Sequence, residues 1–257
     1  MTFIDSHAHL DDKQFDKDRD NVINNLKDND ISLVINIGSD LSSSRFSQKL
    51  ARDNDNIYFA AGVHPHDSSS CTEEILTEIE KLLSDPKCVA LGEIGLDYFK
   101  NYSPADIQRE IFDRQLSIAK KNEIPVCIHM RDATKDTIDF LKKYLPFNKS
   151  GVIHSFSGSR ETAKIMLDMG FYLSISGPVT YANAVNLREV VSYIPIDKLL
   201  IETDCPYLTP IPKRGIRNEP KYVRYTAEKI AEIKRMPIEE IAEITSGNAL
   251  RLFDIKL

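Results

Sequence analysis

Histidine and carboxylate residues cluster at the ends of short apolar runs in this chain of 257 residues. His7 and His9 follow a run at residues 3–5, His64 and His66 close one at 59–64, His129 ends one at 126–130, and His154 falls late in one at 152–156. These are all six histidines of the chain, and random placement would scatter them over helices as well. Asp5 and Glu93 sit in the first and fourth runs, and Asp204 directly follows Leu-Leu-Ile-Glu-Thr. In an extended chain residues i and i+2 project to the same side, so His7 and His9 can aim at one point. Neutral imidazole with carboxylate suits zinc, and carboxylate-rich sets also accept manganese or magnesium. Taken alone, His-x-His fits two surface histidines beside a turn. Company from Glu93, His129, His154 and Asp204 turns it into a metal site.

Six candidate ligands exceed what one tetrahedral ion needs, whereas a pair of divalent ions about 3.5 to 4 Å apart would use them all. Glu93 is the natural bridge, because its run lies between the His7 and His9 ligands of one ion and the His129 and His154 ligands of the other. Asp204 can bind the first ion and also orient or deprotonate an attacking water. Asp5, two residues before His7, is placed to support a ligand rather than to be one. Pro65 stiffens the exit from the third run, so His64 is expected to face the reacting group, holding a substrate oxygen or a leaving group. His66 is expected to cap a loop, and neither is expected to bind metal.

The elements that must position these groups are marked by the same runs. Apolar stretches at 3–5, 33–38, 59–64, 89–94, 126–130, 152–156, 171–176 and 199–203 read as parallel strands covered on both faces. Each gap has room for a helix. Ser103-Pro104 predicts a cap with Pro at the first helical position, and Ile107, Ile111 and Leu116 continue a stripe that stops at Pro125. Ile75, Ile79 and Leu82 form a second stripe. Pro237, Ile238, Ile241 and Ile244 outline a last helix, with Gly247 as its expected stop. Strand then helix, eight times in about 250 residues, predicts a single-domain (β/α)8 TIM barrel over residues 1–257, whose active sites lie at the C-terminal strand ends. A doubly wound open sheet is the alternative, but its first strand usually runs into a Gly-rich phosphate loop, not His-Ala-His.

Composition excludes other classes. A chain with 42% hydrophobic and 28% charged residues is too apolar for disorder, and no apolar run approaches the roughly 18 residues of a membrane span. The net charge of −6 argues against a broad basic nucleic-acid surface, though not against a local site. Cys71, Cys88, Cys127 and Cys205 form no CxxC pair, and the N-terminus lacks a basic and an apolar signal region, so a cytoplasmic protein is expected. No obligate protein partner is evident.

With these residues assembled, the chain resembles the TatD family of metal-dependent deoxyribonucleases, within the amidohydrolase-like barrels, over essentially its whole length. The resemblance is carried by Asp5-Ser6-His7-Ala8-His9-Leu10, Gly62-Val63-His64-Pro65-His66, Gly92-Glu93-Ile94-Gly95-Leu96-Asp97-Tyr98, Ile128-His129 with Arg131, His154-Ser155-Phe156-Ser157-Gly158, and Glu202-Thr203-Asp204-Cys205-Pro206. It implies hydrolysis of DNA phosphodiesters with His7, His9, Glu93, His129, His154 and Asp204 as metal ligands. The expected substrate is single-stranded DNA or a strand end, cleaved as by an exonuclease. Related barrels often bridge their metals with a carboxylated lysine on the fourth strand, and Glu93 in that place favours the TatD type. Amide or ester hydrolysis, such as deacylation of an aminoacyl-tRNA, is the alternative on the same ligands, and a non-catalytic binder is a third.

Substrate contacts are expected from His64, Arg131, Lys213 and Arg214. Residues 206–235 hold eight Lys and Arg against three Glu, and barrel loops after the last strands commonly bind phosphate. A solvated helix explains Lys229 to Arg235 as well. Tyr98, Tyr181 or Tyr207 are candidates to stack on a base.

Overall fold

The computed structural model describes residues 1–256, and among them the apolar runs become eight strands. These are β1 (Phe3–Ala8), β2 (Ile31–Ile37), β3 (Ile57–Ala61), β4 (Cys88–Asp97), β5 (Val126–Arg131), β6 (Gly151–Ile153), β7 (Tyr172–Ile175) and β8 (Leu199–Ile201). They are hydrogen-bonded in chain order, every neighbouring pair parallel. Between consecutive strands lie α1 (Arg19–Asn24), α2 (Leu41–Asp53), α3 (Glu73–Leu82), α4 (Ala105–Asn122), α5 (Thr134–Tyr144), α6 (Arg160–Asp168) and α7 (Val185–Tyr193). After β8 come α8 (Val223–Lys234) and α9 (Ile238–Phe253). The architecture is a (β/α)8 TIM barrel, as the alternation predicts, and not a doubly wound sheet.

Burial explains why the strands read as continuous apolar runs. Every position of β1 and of β4 is buried, one face toward the helices and the other toward the lumen. Lumen residues Ile4, Ile35, Ala60, Val152 and Leu200 pack with Ala249, Leu252 and Phe253 of α9. The end of α9 thus plugs the barrel floor, and polar inward positions begin only above it, toward the C-terminal mouth.

Two local expectations change. Ser103 does not cap α4: Pro104 holds the cap position, while the Ser103 hydroxyl donates to the His66 carbonyl and accepts from the Ser69 N–H. A loop contact outcompetes the helix end for that hydroxyl. Gly247 does not stop the last helix, which runs on to Phe253 and ends at Asp254 in a left-handed conformation. A single glycine weakens a helix by only about 1 kcal/mol, and burial of Asn248, Ala249, Leu252 and Phe253 outweighs that.

The barrel closes through a sparse seam. Between β8 and β1 the backbone makes one parallel bridge, Ala8 with Cys205, with His9 N donating to Cys205 O (2.7 Å) and Asp204 N to His7 O (2.9 Å). Below it, side chains replace the ladder. The fully buried Asp5 accepts from Thr203 N (2.9 Å) and Thr203 Oγ1 (2.5 Å), and Ser6 Oγ donates to Ile201 O (2.9 Å). Burial pushes the Asp5 carboxyl up to about 8, against the lowering effect of the Thr203 hydrogen bonds. Asp5→Ala should therefore cost about 2 to 4 kcal/mol in urea unfolding, because it orphans buried donors, whereas Asp5→Asn, which keeps an acceptor oxygen and carries no charge to bury, should cost less.

Candidate metal centre

The C-terminal mouth opens into a cleft of about 790 Å3, whose floor and walls include His9, His64, His66, Glu93, His129, His154 and Asp204. Local backbone devices aim these side chains. The β1 register shifts between Asp5 and Ala8, and such an irregularity re-aims side chains at a barrel rim; His7 and His9 both reach the cluster. Beside it, Gly95 has φ +143°, and a Cβ there would lie 2.0 Å from the His129 carbonyl oxygen, so only glycine lets β4 pass this close to β5. His154 and Asp204 lie just past the short strands β6 and β8, while His7 lies within β1, which extends three residues beyond its apolar run.

Glu93 is the centre of the arrangement. Its Oε2 faces His7 Nε2 (3.4 Å) and His9 Nε2 (3.6 Å), and Asp204 Oδ1 faces the same two nitrogens at 3.6 and 3.5 Å. Its Oε1 faces His129 Nδ1 (2.7 Å), His154 Nε2 (2.8 Å) and His64 Nε2 (3.4 Å). One oxygen therefore addresses each group of imidazoles. Three sets have ligand atoms lying within 4.8 Å of one another: His7, His9 and Asp204; His64, Glu93 and His129; and His7, His154 and Glu202. Histidine and carboxylate donors at this density make candidate sites for a divalent cation.

The far ring nitrogens set the tautomers. His9 Nδ1 donates to Ile37 O (3.0 Å), His129 Nε2 to Asp97 Oδ2 (3.1 Å), and His154 Nδ1 to Glu202 Oε1 (3.3 Å). In the neutral ring each such bond leaves the opposite nitrogen with its lone pair toward the cluster, as metal-ligating histidines require. His64 is reversed. Its Nδ1 accepts from His66 N (3.1 Å), and burial lowers its pKa to about 4, so at neutral pH it is uncharged with the proton on Nε2. That N–H faces Glu93 Oε1 at 3.4 Å in the cleft lining.

Charge balance obeys the same geometry. Burial alone would raise the Glu93 carboxyl, but His154, His64 and His129 pull it well below the ordinary range. Burial likewise opposes a charge on His9 and His154. Asp204 nevertheless raises His9 to about 9, and Glu93 with Glu202 raises His154 well above the usual value. Burial and the neighbouring His154 lower His7. The carboxylates thus draw positive charge into the cluster, as protons or as metal cations.

All six proposed ligands meet here, together with His64. Asp5 lies behind them, bonded to Thr203 as a supporting group. His66 does more than cap a loop, since its Nε2 donates to Asp97 Oδ2 (3.0 Å) and it lines the cleft. Asp97 and Glu202 carry no separate signal in the sequence, although Glu202 lies two residues before Asp204 and Asp97 four after Glu93, even spacings that share a face in an extended chain. Arg131 lines the cleft, but Lys213 and Arg214 are not among its described lining residues. Their cations lie over Tyr222 (5.9 Å) and Tyr181 (4.5 Å). Much of the basic segment is neutralised locally: Arg217 pairs with Asp18 and Glu219, Lys221 with Glu219, Arg224 with Glu228, and Lys229 with Glu232. Of the three tyrosines, Tyr207 lines the cleft, while Tyr98 donates to Asp136 and Tyr181 to Thr209 O.

A parallel eight-stranded barrel with histidines and carboxylates converging on its C-terminal mouth is the architecture of a TIM-barrel metal-dependent hydrolase. Within that class the chain belongs to the TatD family: the family model for TatD related DNase matches residues 4–254. It is 48% identical over 252 residues to the uncharacterized metal-dependent hydrolase YabD of Bacillus subtilis, covering 98% of this chain and 99% of the relative. It is 36% identical over 257 residues to the 3'-5' ssDNA/RNA exonuclease TatD of Salmonella typhimurium, covering 98% and 99%. The crystal structure of YJJV, a TatD homologue from Escherichia coli K12, superposes with a TM-score of 0.94 at 29% identity, over 99% of this chain and 98% of that one.

If the clusters bind cations, chelator-treated protein should melt at a higher temperature when zinc or manganese is added, by an amount equivalent to about 2.7 kcal/mol at 100 times the dissociation constant. The gain should shrink as the pH falls, since protons on His9 and His154 compete with the cation. Differential scanning fluorimetry over a pH series reads both effects.

Proposed function

We propose that this chain is a metal-dependent phosphodiesterase acting on DNA, an exonuclease working on single strands or frayed ends in the cytoplasm. The observation that carries this reading is the split of Glu93, one carboxylate oxygen toward each group of imidazoles at the bottom of a cleft. Such a split fits two divalent ions: His7, His9 and Asp204 with Glu93 Oε2 for one, and His129 and His154 with Glu93 Oε1 for the other. The imidazoles among these donors favour zinc, and the carboxylates admit manganese or magnesium. When bound, a metal pair lowers the pKa of water and stabilises charge on the attacking and leaving oxygens of an in-line displacement. The exonuclease name of the Salmonella relative supports the substrate class. The free thiols of Cys71, Cys88, Cys127 and Cys205 fit a reducing compartment.

The protein's own groups divide the remaining work. Asp204 is held below the ordinary carboxylate range against its burial, by His9 and His7, so it is ionised and accepts the proton of the attacking water on a carboxylate oxygen. Neutral His64 holds its Nε2–H beside Glu93 Oε1 in the cleft lining, where a phosphate oxygen or leaving group brought against it would accept that hydrogen bond. Arg131, exposed at the end of β5, meets a phosphate of the strand.

Purified protein incubated with an end-labelled single strand, an aminoacyl-tRNA and a simple phosphodiester, each with and without chelator, tests the reading. A metal-dependent ladder from one end is the expected result, and carbonyl cleavage alone would overturn it in favour of the amide or ester alternative. Glu93→Ala should lose both turnover and bound metal with an unchanged circular dichroism spectrum, and near-normal activity with metal retained would reject the bridging role. Asp204→Asn should lower kcat by about 10²- to 10⁴-fold, the usual worth of a positioned base.

A further inference from the structure

Cations and aromatic rings gather on one rim of the cleft. The loop from β4 to α4 carries Phe99, Lys100 and Tyr102, and Arg131 ends the adjoining β5. Lys100 and Arg131 are the lysine and arginine of the cleft lining among the described residues, and Tyr102 lines it beside them. Among the described residues neither cation has a carboxylate partner within 4.0 Å, in contrast to the paired cations of residues 217–229. Phe99 and Tyr102 are 57% and 67% exposed. The Arg131 guanidinium lies 4.1 Å from the Phe99 ring centre, and Lys100 Nζ lies 6.0 and 5.9 Å from the Phe99 and Tyr102 rings.

This rim is continuous with the metal centre. The Tyr102 ring is 4.7 Å from His66, His66 is 4.3 Å from His64, and His64 is 4.6 Å from His129. A lone exposed aromatic needs no explanation. Two of them, interleaved with two unpaired cations on the lip of a cleft, match the composition of a single-strand groove, where flat rings take bases and cations take the backbone. Stacking on a base face requires that the base be unpaired, which selects single strands and frayed ends over intact duplex.

We propose that Phe99, Lys100, Tyr102 and Arg131 form a subsite for the nucleotides flanking the scissile phosphodiester. Tyr102 stacks on a base, Lys100 and Arg131 each neutralise a phosphate, and Phe99 holds the Arg131 guanidinium in place. The assignment rests on the nuclease reading of the mouth and adds the part of the substrate that lies outside it. It also relocates the cationic contact from the Lys213 and Arg214 loop to the loop after β4.

The test uses metal-loaded protein and a fluorescent single strand of about 12 nucleotides with phosphorothioate linkages, which keep the charge and slow cleavage. Anisotropy across a potassium chloride series gives affinity and salt slope, and turnover of methyl 4-nitrophenyl phosphate reports the chemistry without a strand. Tyr102→Ala should weaken strand binding about tenfold while Tyr102→Phe, which keeps the ring, restores it. Lys100→Ala should flatten the log-log salt slope by about 0.7, the loss of one phosphate contact. All of these variants should hydrolyse the small diester as the wild type does. Wild-type affinity and salt slope in the variants would overturn the subsite while leaving the nuclease reading intact. A wild type that neither binds nor cleaves single strands would overturn both.

Discussion

Glu93 is 3% exposed and has five imidazoles within 3.6 Å of its two oxygens. A carboxylate at that depth costs several kcal/mol unless positive charge or hydrogen bonds meet it on every side. Much of the mouth can be understood as the answer to that constraint. His7 and His9 come from β1 and its exit, His64 from the exit of β3, His129 from β5 and His154 from the exit of β6, so four of the eight strands contribute to one anion. Below this layer the lumen is apolar and closed by α9, which confines the charge to the end of the barrel open to water.

Outer hydrogen bonds then decide what each imidazole does. Ile37 O, Asp97 and Glu202 each accept from the far nitrogen of one ring and turn the near nitrogen into an acceptor. His64 receives an N–H instead and keeps its own proton toward Glu93 at the cleft lining. Residues of one type, packed around one carboxylate, thereby separate into candidate ligands and a proton donor. The thin β1–β8 seam bears on the same point, since Asp5 and Thr203 hold together the two segments that carry His7 and Asp204.

Net charge of −6 gives no hint of where an anionic strand would touch this molecule. Many of the cations of the basic segment after β8 are engaged by neighbouring carboxylates, which makes them part of the scaffold. The cations of the cleft lining, Lys100 and Arg131, belong to stretches with no local excess of basic residues and become neighbours because β4 pairs with β5. Among the described residues no helix is long and apolar enough to cross a membrane.

The strands, the barrel and the identity of the six residues at its mouth were legible from the chain alone. Burial on both faces writes each parallel strand as an apolar run, and the polar residues at the end of each run mark the active face. The helix ends were less legible: Ser103 and Gly247 have the right chemistry for a cap and a stop, but a loop contact and core packing outweigh such local preferences of about 1 kcal/mol. Only the tertiary structure could reveal that Glu93 offers one oxygen to each group of imidazoles, that Asp97 and Glu202 fix imidazole tautomers, and that Lys213 and Arg214 lie over tyrosines outside the cleft lining. The physical reason is range. Hydrophobic periodicity is a property of neighbours in sequence, whereas the direction of a lone pair or the freedom of a cation is set by groups that folding brings from strands far apart in the chain.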